Sequence, residues 1–336
     1  MVKDTLGRPI RDLRISVTDR CDYRCTYCMP YDEYDWLKKN EILSFEEIVR
    51  VARAFVGLGA EKLRLTGGEP LVRKDLHKLV RLLAEIPGVK DLSLTTNGHL
   101  LAEQIENLVT AGLRRINVSL DTLNAAKFRQ ITQRGELDPV VMGLAAAKRF
   151  HLSSIKINAV IIRGFNDDEI LDLAGYGREN GFILRFIEYM DVGNANSWSL
   201  EKVVTKKDIL ETIHRRFPVK EIGRADGRAP AVDYEYLDGR GRIGIIGSVS
   251  EPFCGTCDRA RLTPDGKLVT CLFSKEGHDL KTLLRHGASD EQLADAIRSV
   301  WIGRKDRYSE ERWTALKTKS YDPKARRKIE MIRLGG

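Results

Sequence analysis

The sequence contains no uncharged apolar run approaching the roughly 18–20 residues that span a bilayer. A membrane-spanning helix is therefore not expected. Its opening segment, MVKDTLGRPIRD, is charged and holds no apolar stretch, so no secretory leader is read there. Low-complexity tracts and clear short-period repeats are also missing. These absences disfavour fibrous, disordered and membrane-embedded classes and favour a soluble, cytoplasmic protein. Cysteine is scarce, with six residues, and none lies outside two tight groups. Disulfides are not expected of a cytosolic chain, and dense local spacing reads there as metal binding.

What is present suits a folded α/β protein. The 336 residues are 42% hydrophobic and 31% charged, ample for a buried core. That length suggests about two domains, although an α/β barrel of about 200–250 residues can be one. Lys and Arg number 56 against 48 Asp and Glu, a net charge of +8. Such a chain can attract a polyanion: a nucleotide, a nucleic acid or an acidic lipid. The basic residues are scattered rather than striped, and helix-turn-helix or zinc-finger spacing is not found. A nucleic-acid-binding regulator and a membrane partner are accordingly disfavoured.

Strand-like segments rich in Ile, Val, Leu and Thr fall at 13–18, 62–66, 91–95, 115–120, 155–162 and 184–189. Helical patterns fall at 45–59, 76–84, 103–111, 140–150, 168–180 and 206–216. In the first of these, Ile48, Val51, Ala52 and Phe55 share one face, Ser44 and Glu47 can form a capping box, and Gly57 or Gly59 can end it. Six βα units imply a parallel sheet with right-handed crossovers. Periodicity leaves a doubly wound sheet and a curved partial barrel equally open. In both, ligands gather at the C-terminal strand ends. The pattern changes after Phe217: a Gly-, Arg- and Asp-rich loop spans 223–230, strands are read at 234–237 and 242–249, and a charged helical tail carries Trp301 and Trp313. The expected division is a core over 1–225 and a smaller α+β domain over 226–336.

Cys21, Cys25 and Cys28 follow the first strand with C-x3-C-x2-C spacing. Three thiolates so placed can hold three irons of a cubane cluster and leave the fourth open. A zinc loop more often uses C-x2-C pairs, and no histidine lies nearby. The triplet, with Tyr27 between its last two cysteines, resembles the signature of radical S-adenosylmethionine enzymes. Further strand ends match that family: Thr66-Gly67-Gly68-Glu69-Pro70, Thr95-Thr96-Asn97-Gly98, Ser119-Leu120-Asp121 and Tyr189-Met190-Asp191. The resemblance covers about residues 10–220 and implies a partial (β/α)6 barrel. It also implies S-adenosylmethionine bound at the open iron and cleaved to a 5′-deoxyadenosyl radical.

The second group is Cys254-x2-Cys257-x13-Cys271. With His278 nearby, its spacing fits a Cys3His zinc site as well as an iron–sulfur cluster. Followed by Arg259-Ala260-Arg261, it resembles the C-terminal cluster of the GTP 3′,8-cyclases of molybdenum-cofactor biosynthesis. That resemblance implies a second 4Fe-4S cluster whose open iron binds guanine, with His278 a plain loop residue. Residue by residue, it implies GTP contacts at Arg14, Arg64, Thr95, Lys156, Arg259 and Arg261, with Lys62 a weaker candidate for the triphosphate. It implies S-adenosylmethionine contacts at Tyr27, Gly68, Ser119 and Met190, the first and last through backbone. Arg259 and Arg261 are the candidates to assist protonation or reduction. Independently, cations on interior strands are costly to bury without an anion, which favours a bound polyanion beside Arg14, Arg64 and Lys156. The closing Arg333-Leu334-Gly335-Gly336 resembles the family's double-glycine end, which reaches into the active site. An external electron donor and delivery of product to cyclic pyranopterin monophosphate synthase are implied, and a homodimer is compatible with the sequence. Within the same superfamily, the alternative is a peptide maturase with an auxiliary cluster.

Overall fold

A computed structural model describes every residue except Met1, Ala195, Lys324, Arg326 and Gly336. Strands β1 (Asp12–Ser16), β2 (Lys62–Thr66), β3 (Asp91–Thr96), β4 (Arg115–Ser119), β5 (Ser154–Ile161) and β6 (Ile183–Glu188) pair in parallel in chain order. Helices α1 (Phe45–Gly57), α2 (Leu76–Ala84), α3 (Leu101–Thr110), α4 (Ala125–Thr132), α5 (Leu137–Lys148) and α6 (Ile170–Asn180) fill the crossovers. α1 starts on the expected capping box: Glu47 N donates to Ser44 Oγ at 3.1 Å and Ser44 N to Glu47 Oε2 at 2.7 Å.

Strand composition explains the curvature. Leu13, Ile15, Leu63, Leu65, Leu94, Ile116 and Val118 are fully buried against the helices. The alternate residues Arg14, Arg64, Ser93, Thr95 and Asn117 face the other side. Parallel strands covered by helices on both faces read as near-continuous apolar runs. Here one face is apolar and the other polar. That excludes the doubly wound sheet and leaves the curved partial barrel, with a polar concave face.

The chain then adds to both edges of this sheet. After α7 (Lys206–Arg216), β7 (Val219–Gly223), β8 (Val232–Tyr236) and β9 (Arg242–Ile246) extend it beyond β6, with β9 parallel to β6. Next, β10 (Arg259–Leu262), β11 (Lys267–Val269) and β12 (His278–Asp279) extend it beyond β1, with β10 parallel to β1. Helices α8 (Lys281–Arg285), α9 (Asp290–Ile302), α10 (Tyr308–Lys317) and α11 (Met331–Leu334) complete the chain. Leu293, Ile297 and Trp301 of α9 belong to the same buried cluster as Ile48 and Phe55 of α1. Among the described residues, no helix is long and apolar enough to cross a membrane.

Candidate active site

The loop after β1 carries the first cysteine triplet. Cys28 N and Met29 N both donate to Cys25 O, at 3.0 and 2.8 Å, folding Cys25–Cys28 into one turn. The loop is pinned by α4, which the sequence reading did not mark: Arg24 N and Thr26 N donate to Thr132 O and Ile131 O, both at 2.9 Å. Arg24 also ties the loop to itself through Cys21 O and Tyr23 O. All three thiols line the cavity on the concave side. Burial pushes the Cys28 thiol up to about 12 and raises Cys21 and Cys25 as well. A buried thiolate set of this kind needs a cationic centre, which an iron cluster supplies. The donor set fits such a group.

The second triplet lines the same cavity as the first. Cys254 begins a short turn before β10, and Cys271 follows β11. Burial alone would raise Cys257, but the guanidiniums of Arg259 and Arg304 outweigh it and bring the thiol to about 6. Arg259 Nε and Arg304 Nη2 donate to Cys257 Sγ at 3.3 and 3.2 Å. Cys271, without such donors, is pushed up to about 12 by burial and then by Asp306. His278 is exposed on β12 and does not line the cavity, so the Cys3His arrangement left open by spacing is not formed. Among the described residues, no three His, Cys, Asp or Glu side chains converge as a single metal ion requires. Thiols around a multi-iron cluster are instead held apart by the cluster itself.

The strand ends close around the first triplet. Gly68 N donates to Thr18 O and Glu69 N to Arg20 O, both at 2.8 Å. A Cβ on Gly68 would lie 2.2 Å from Arg20 O, so only glycine permits this approach. The Glu69 carboxylate accepts from Leu71 N, Thr96 Oγ1 and Asn97 N at 2.9, 2.7 and 2.6 Å, joining the ends of β2 and β3. Its burial outweighs these bonds and raises it to about 7. Tyr27 Oη donates to Asp121 Oδ2 at 2.8 Å, while Val160 N donates to Asp121 Oδ1 at 2.8 Å. Burial raises Asp121 to about 6. Tyr27, Gly68, Ser119 and Met190 all line the cavity.

Along the strands themselves the cations stand in register. Arg261 of β10 pairs with Arg14 of β1, which pairs with Arg64 of β2, giving a row of three guanidiniums. Arg185 of β6 joins them in the lining, with Arg259 and Thr95. Arg14 and Arg185 are 8% and 7% exposed, and the Nε of each is buried without a partner. Burial, then the charges of Arg64 and Arg261, lower Arg14 well below its usual value. Burial, then Arg64, brings Arg185 to about 10. Of the nearby carboxylates, Asp91 is committed to Arg115 and Asp226 to Lys62, while Asp12 lies among the row and is held below its usual value, against its own burial, by Arg64, Arg14, Arg259 and Arg261.

Two expected contacts are not among the cavity-lining residues. Lys156 is buried on β5 but is not among the residues lining the cavity. Lys62 pairs with Asp226 and is likewise outside the lining. Arg185 and Arg304 were missed. Arg185 carried the same signal as Lys156, a cation inside an apolar strand. Arg304 carried none, because it lies in an irregular segment brought to Cys257 only by tertiary folding. Arg261 Nη1 donates to Leu334 O and Gly335 O at 3.0 and 2.9 Å, so the chain's end reaches the cation wall. Gly336, part of the expected double-glycine end, lies outside the described residues.

Comparison with known proteins agrees with this geometry. Residues 15–176 match the Radical SAM superfamily and residues 182–310 match Molybdenum Cofactor Synthesis C. A relative named GTP 3′,8-cyclase from Acidothermus cellulolyticus is 46% identical over 359 residues, covering 100% of this chain and 99% of its own. One of the same name from Staphylococcus haemolyticus is 45% identical over 343 residues, with coverage of 100% and 99%. Among solved structures, Streptococcus suis SuiB bound to S-adenosylmethionine has a TM-score of 0.60 at 16% identity, covering 95% of this chain and 76% of SuiB. At that identity the likeness concerns the fold. The full-length identity, the two matched families and the paired cysteine loops together place this chain in the GTP 3′,8-cyclase family of the radical S-adenosylmethionine superfamily.

Proposed function

We propose that this chain converts GTP to (8S)-3′,8-cyclo-7,8-dihydroguanosine 5′-triphosphate, the first step of molybdenum-cofactor biosynthesis. Cys21, Cys25 and Cys28 would hold one 4Fe-4S cluster, and Cys254, Cys257 and Cys271 a second. When bound, the first cluster and S-adenosylmethionine supply the one-electron chemistry that removes hydrogen from ribose C3′. The chain's own residues bind, orient and shield. Tyr27, Gly68, Ser119 and Met190 line the S-adenosylmethionine side. Arg14, Arg64, Arg185, Arg259 and Arg261 take the triphosphate and base on the other. Lys156, on the same face of β5 as Asn158 and Val160 and beside Arg185, adds positive potential. Arg259 also donates to Cys257 Sγ, which links the substrate wall to the second cysteine loop. It and Arg261 are the residues we assign to catalysis, as substrate-touching cations.

The observation that carries this reading is the excess of buried arginine on the cavity wall, where Arg14 and Arg185 each leave an Nε without a partner. Buried charges are normally paired. Five guanidiniums line one cavity, and the buried carboxylate of Asp12 beside Arg14, Arg64, Arg259 and Arg261 offsets only part of their charge; the excess calls for a ligand of several negative charges, and a triphosphate carries about four. The maturase alternative finds less support: SuiB, solved with precursor peptide SuiA, is 17% identical. Six free thiols favour a reduced compartment and hence the cytoplasm. We read the electron donor as external and the product as passing to cyclic pyranopterin monophosphate synthase.

The test uses anaerobically reconstituted protein, reductant, S-adenosylmethionine and GTP deuterated at C3′. Deuterium is expected in 5′-deoxyadenosine, together with cyclised product. Unlabelled 5′-deoxyadenosine with intact GTP would reject GTP as the substrate. Arg259→Ala and Arg261→Ala are each expected to lower cyclisation while S-adenosylmethionine cleavage continues.

A further inference from the structure

Leu6 N and Arg8 N donate to the Asp4 carboxylate at 2.9 Å each, and Arg8 Nε donates to it at 2.5 Å, so residues 4–8 close into one turn. Arg8 Nη1 crosses from that turn to Cys254 O at 2.9 Å and Asp306 O at 2.8 Å. Arg304 Nη1 stands 3.6 Å from the same Asp4 oxygen, and its side chain is 1% exposed. Arg304 Nε faces Asp306 Oδ2 at 3.4 Å, and the guanidinium lies over the Trp301 ring at 4.6 Å. Asp306 Oδ2 in turn accepts from Thr270 Oγ1, one residue before Cys271, at 2.7 Å. The reaction as derived above gives this buried cluster no task.

What the cluster fixes is Arg304. Its Nη1 donates to Cys257 O at 2.7 Å and its Nη2 to Cys257 Sγ at 3.2 Å, so one planar fork spans the backbone and the sulfur of a single cysteine. Arg8 and Arg304 stand against Asp4 and Asp306, two charges of each sign, so the group adds little net charge to its surroundings. Its effect on the sulfur is the aimed N–H. The first triplet differs. Among the described residues no guanidinium donates to its sulfurs: Arg24 donates to the carbonyls of Cys21 and Tyr23, and Cys21 Sγ faces the Asp22 carboxylate at 3.7 Å. A donor at a cluster thiolate draws off electron density, favours the more negative reduced state and so raises the reduction potential.

We propose that Arg304 tunes the second cluster: held by Asp4, Asp306 and Trp301, it donates to Cys257 Sγ and sets the reduction potential of the iron held by Cys254, Cys257 and Cys271 above the value those thiolates alone would give. Arg259 donates to the same sulfur but is assigned to substrate, so it cannot separate the two roles. Arg304 can, because its three nitrogens already face Cys257, Asp4 and Asp306. The cluster on the substrate side is thereby kept easier to reduce.

This inference rests on the reading of the second triplet as a 4Fe-4S site. The experiment is a reductive titration of anaerobic holoenzyme without GTP, followed by electron paramagnetic resonance. The signal that S-adenosylmethionine leaves unperturbed is that of the second cluster. At the parent's midpoint, Arg304→Met is expected to lower the reduced-to-oxidised ratio of that cluster about tenfold, about 59 mV for one electron, at the parent's iron content and with the first cluster unmoved. Asp4 keeps Arg8 in this variant, and Trp301 Nε1 keeps its bond to Arg8 O. Arg304→Lys keeps a cation beside Asp4 but has no fork to span carbonyl and sulfur. It is expected to lower the ratio by a smaller factor, and it decides the matter if Arg304→Met does not fold. A midpoint that is unchanged, raised, or moved equally at both clusters would overturn the proposal. Loss of the second triplet's iron in both variants would overturn it too, leaving Arg304 a support of the loop. If the parent itself holds only about four irons, the two-cluster reading fails instead.

Discussion

Arg14 is 8% exposed and its Nε has no partner. Two more guanidiniums flank it in register. Charge held this way destabilises the GTP-free protein, and replacing it by an apolar side chain of similar length removes that cost. Arg14→Met is therefore expected to stabilise GTP-free holoenzyme by about 1–4 kcal/mol. The same change is expected to weaken GTP binding at least tenfold, about 1.4 kcal/mol. Thermal denaturation with and without GTP checks both. Lowered stability together with unaltered GTP binding would reject the anion-site reading. Lys156 allows a pH version. Burial, then Arg185 and Arg115, bring it down to about 7, with Asp233 opposing and Arg242 adding to the effect. An unfolded lysine titrates near 10.4, so between pH 7 and 10.4 the unfolded chain binds the extra proton and native stability rises with pH. Below pH 7 both states carry the charge and the native state bears the full cost. The stabilisation by Lys156→Met is thus expected to be largest below pH 7 and to shrink as pH rises toward 10. A pH-independent effect would place the Lys156 charge in an ordinary solvated setting.

At the scale of elements, the first cysteine loop is shaped by contacts to β2 and α4 rather than by its own sequence. Gly68 N and Glu69 N bond Thr18 O and Arg20 O, and Gly67 has φ +140°, a backbone state that side chains avoid. Gly68→Ala would force its Cβ to 2.2 Å from Arg20 O, one residue before Cys21. That loop must then move. Iron content at the first triplet and S-adenosylmethionine cleavage are both expected to fall by more than tenfold, with the second triplet's iron retained. Iron analysis and 5′-deoxyadenosine yield measure this. Much of the architecture was legible in the sequence, because six strands with apolar residues at alternate positions and amphipathic helices between them announce themselves locally. Ser44 and Glu47 even marked the start of α1. What was not legible depends on distant partners. β10 is four residues, RARL, directly after a cysteine turn, and it is a strand because β1 lies parallel on one side and β11 antiparallel on the other. α4 is only eight residues long, yet it pins Arg24 and Thr26. Of the candidate site, the cysteines and strand-end motifs were readable from spacing and resemblance. The register that places Arg261, Arg14 and Arg64 side by side was not, since it arises from sheet pairing across some 250 residues.

At the scale of the whole molecule, the segment after residue 225 is woven into the core barrel. It supplies the strands that cover both edges of the six-stranded sheet, β9 against β6 and β10 against β1. It also supplies α9, whose Trp301 is fully buried and donates through Nε1 to Arg8 O at 3.1 Å. Removing it would leave β1 and β6 as open edges and uncover the apolar face of α1, including Ile48 and Phe55. Open edges of this kind pair with other chains. The physical expectation is therefore that a fragment ending at residue 225 does not persist as a folded monomer, whereas the full chain unfolds in one cooperative transition. Size-exclusion chromatography of the fragment and denaturant unfolding of the intact protein decide this. A soluble, monomeric 1–225 fragment that unfolds cooperatively and keeps the iron of its three cysteines would instead establish the core as an independent domain. In the cooperative case, the two cysteine triplets line one cavity because one sheet, extended at both edges by the C-terminal segment, carries both. Loosening β10 from β1 would then disturb the arginine row and the second triplet together, since Cys257 and Arg261 lie on the same short stretch of chain.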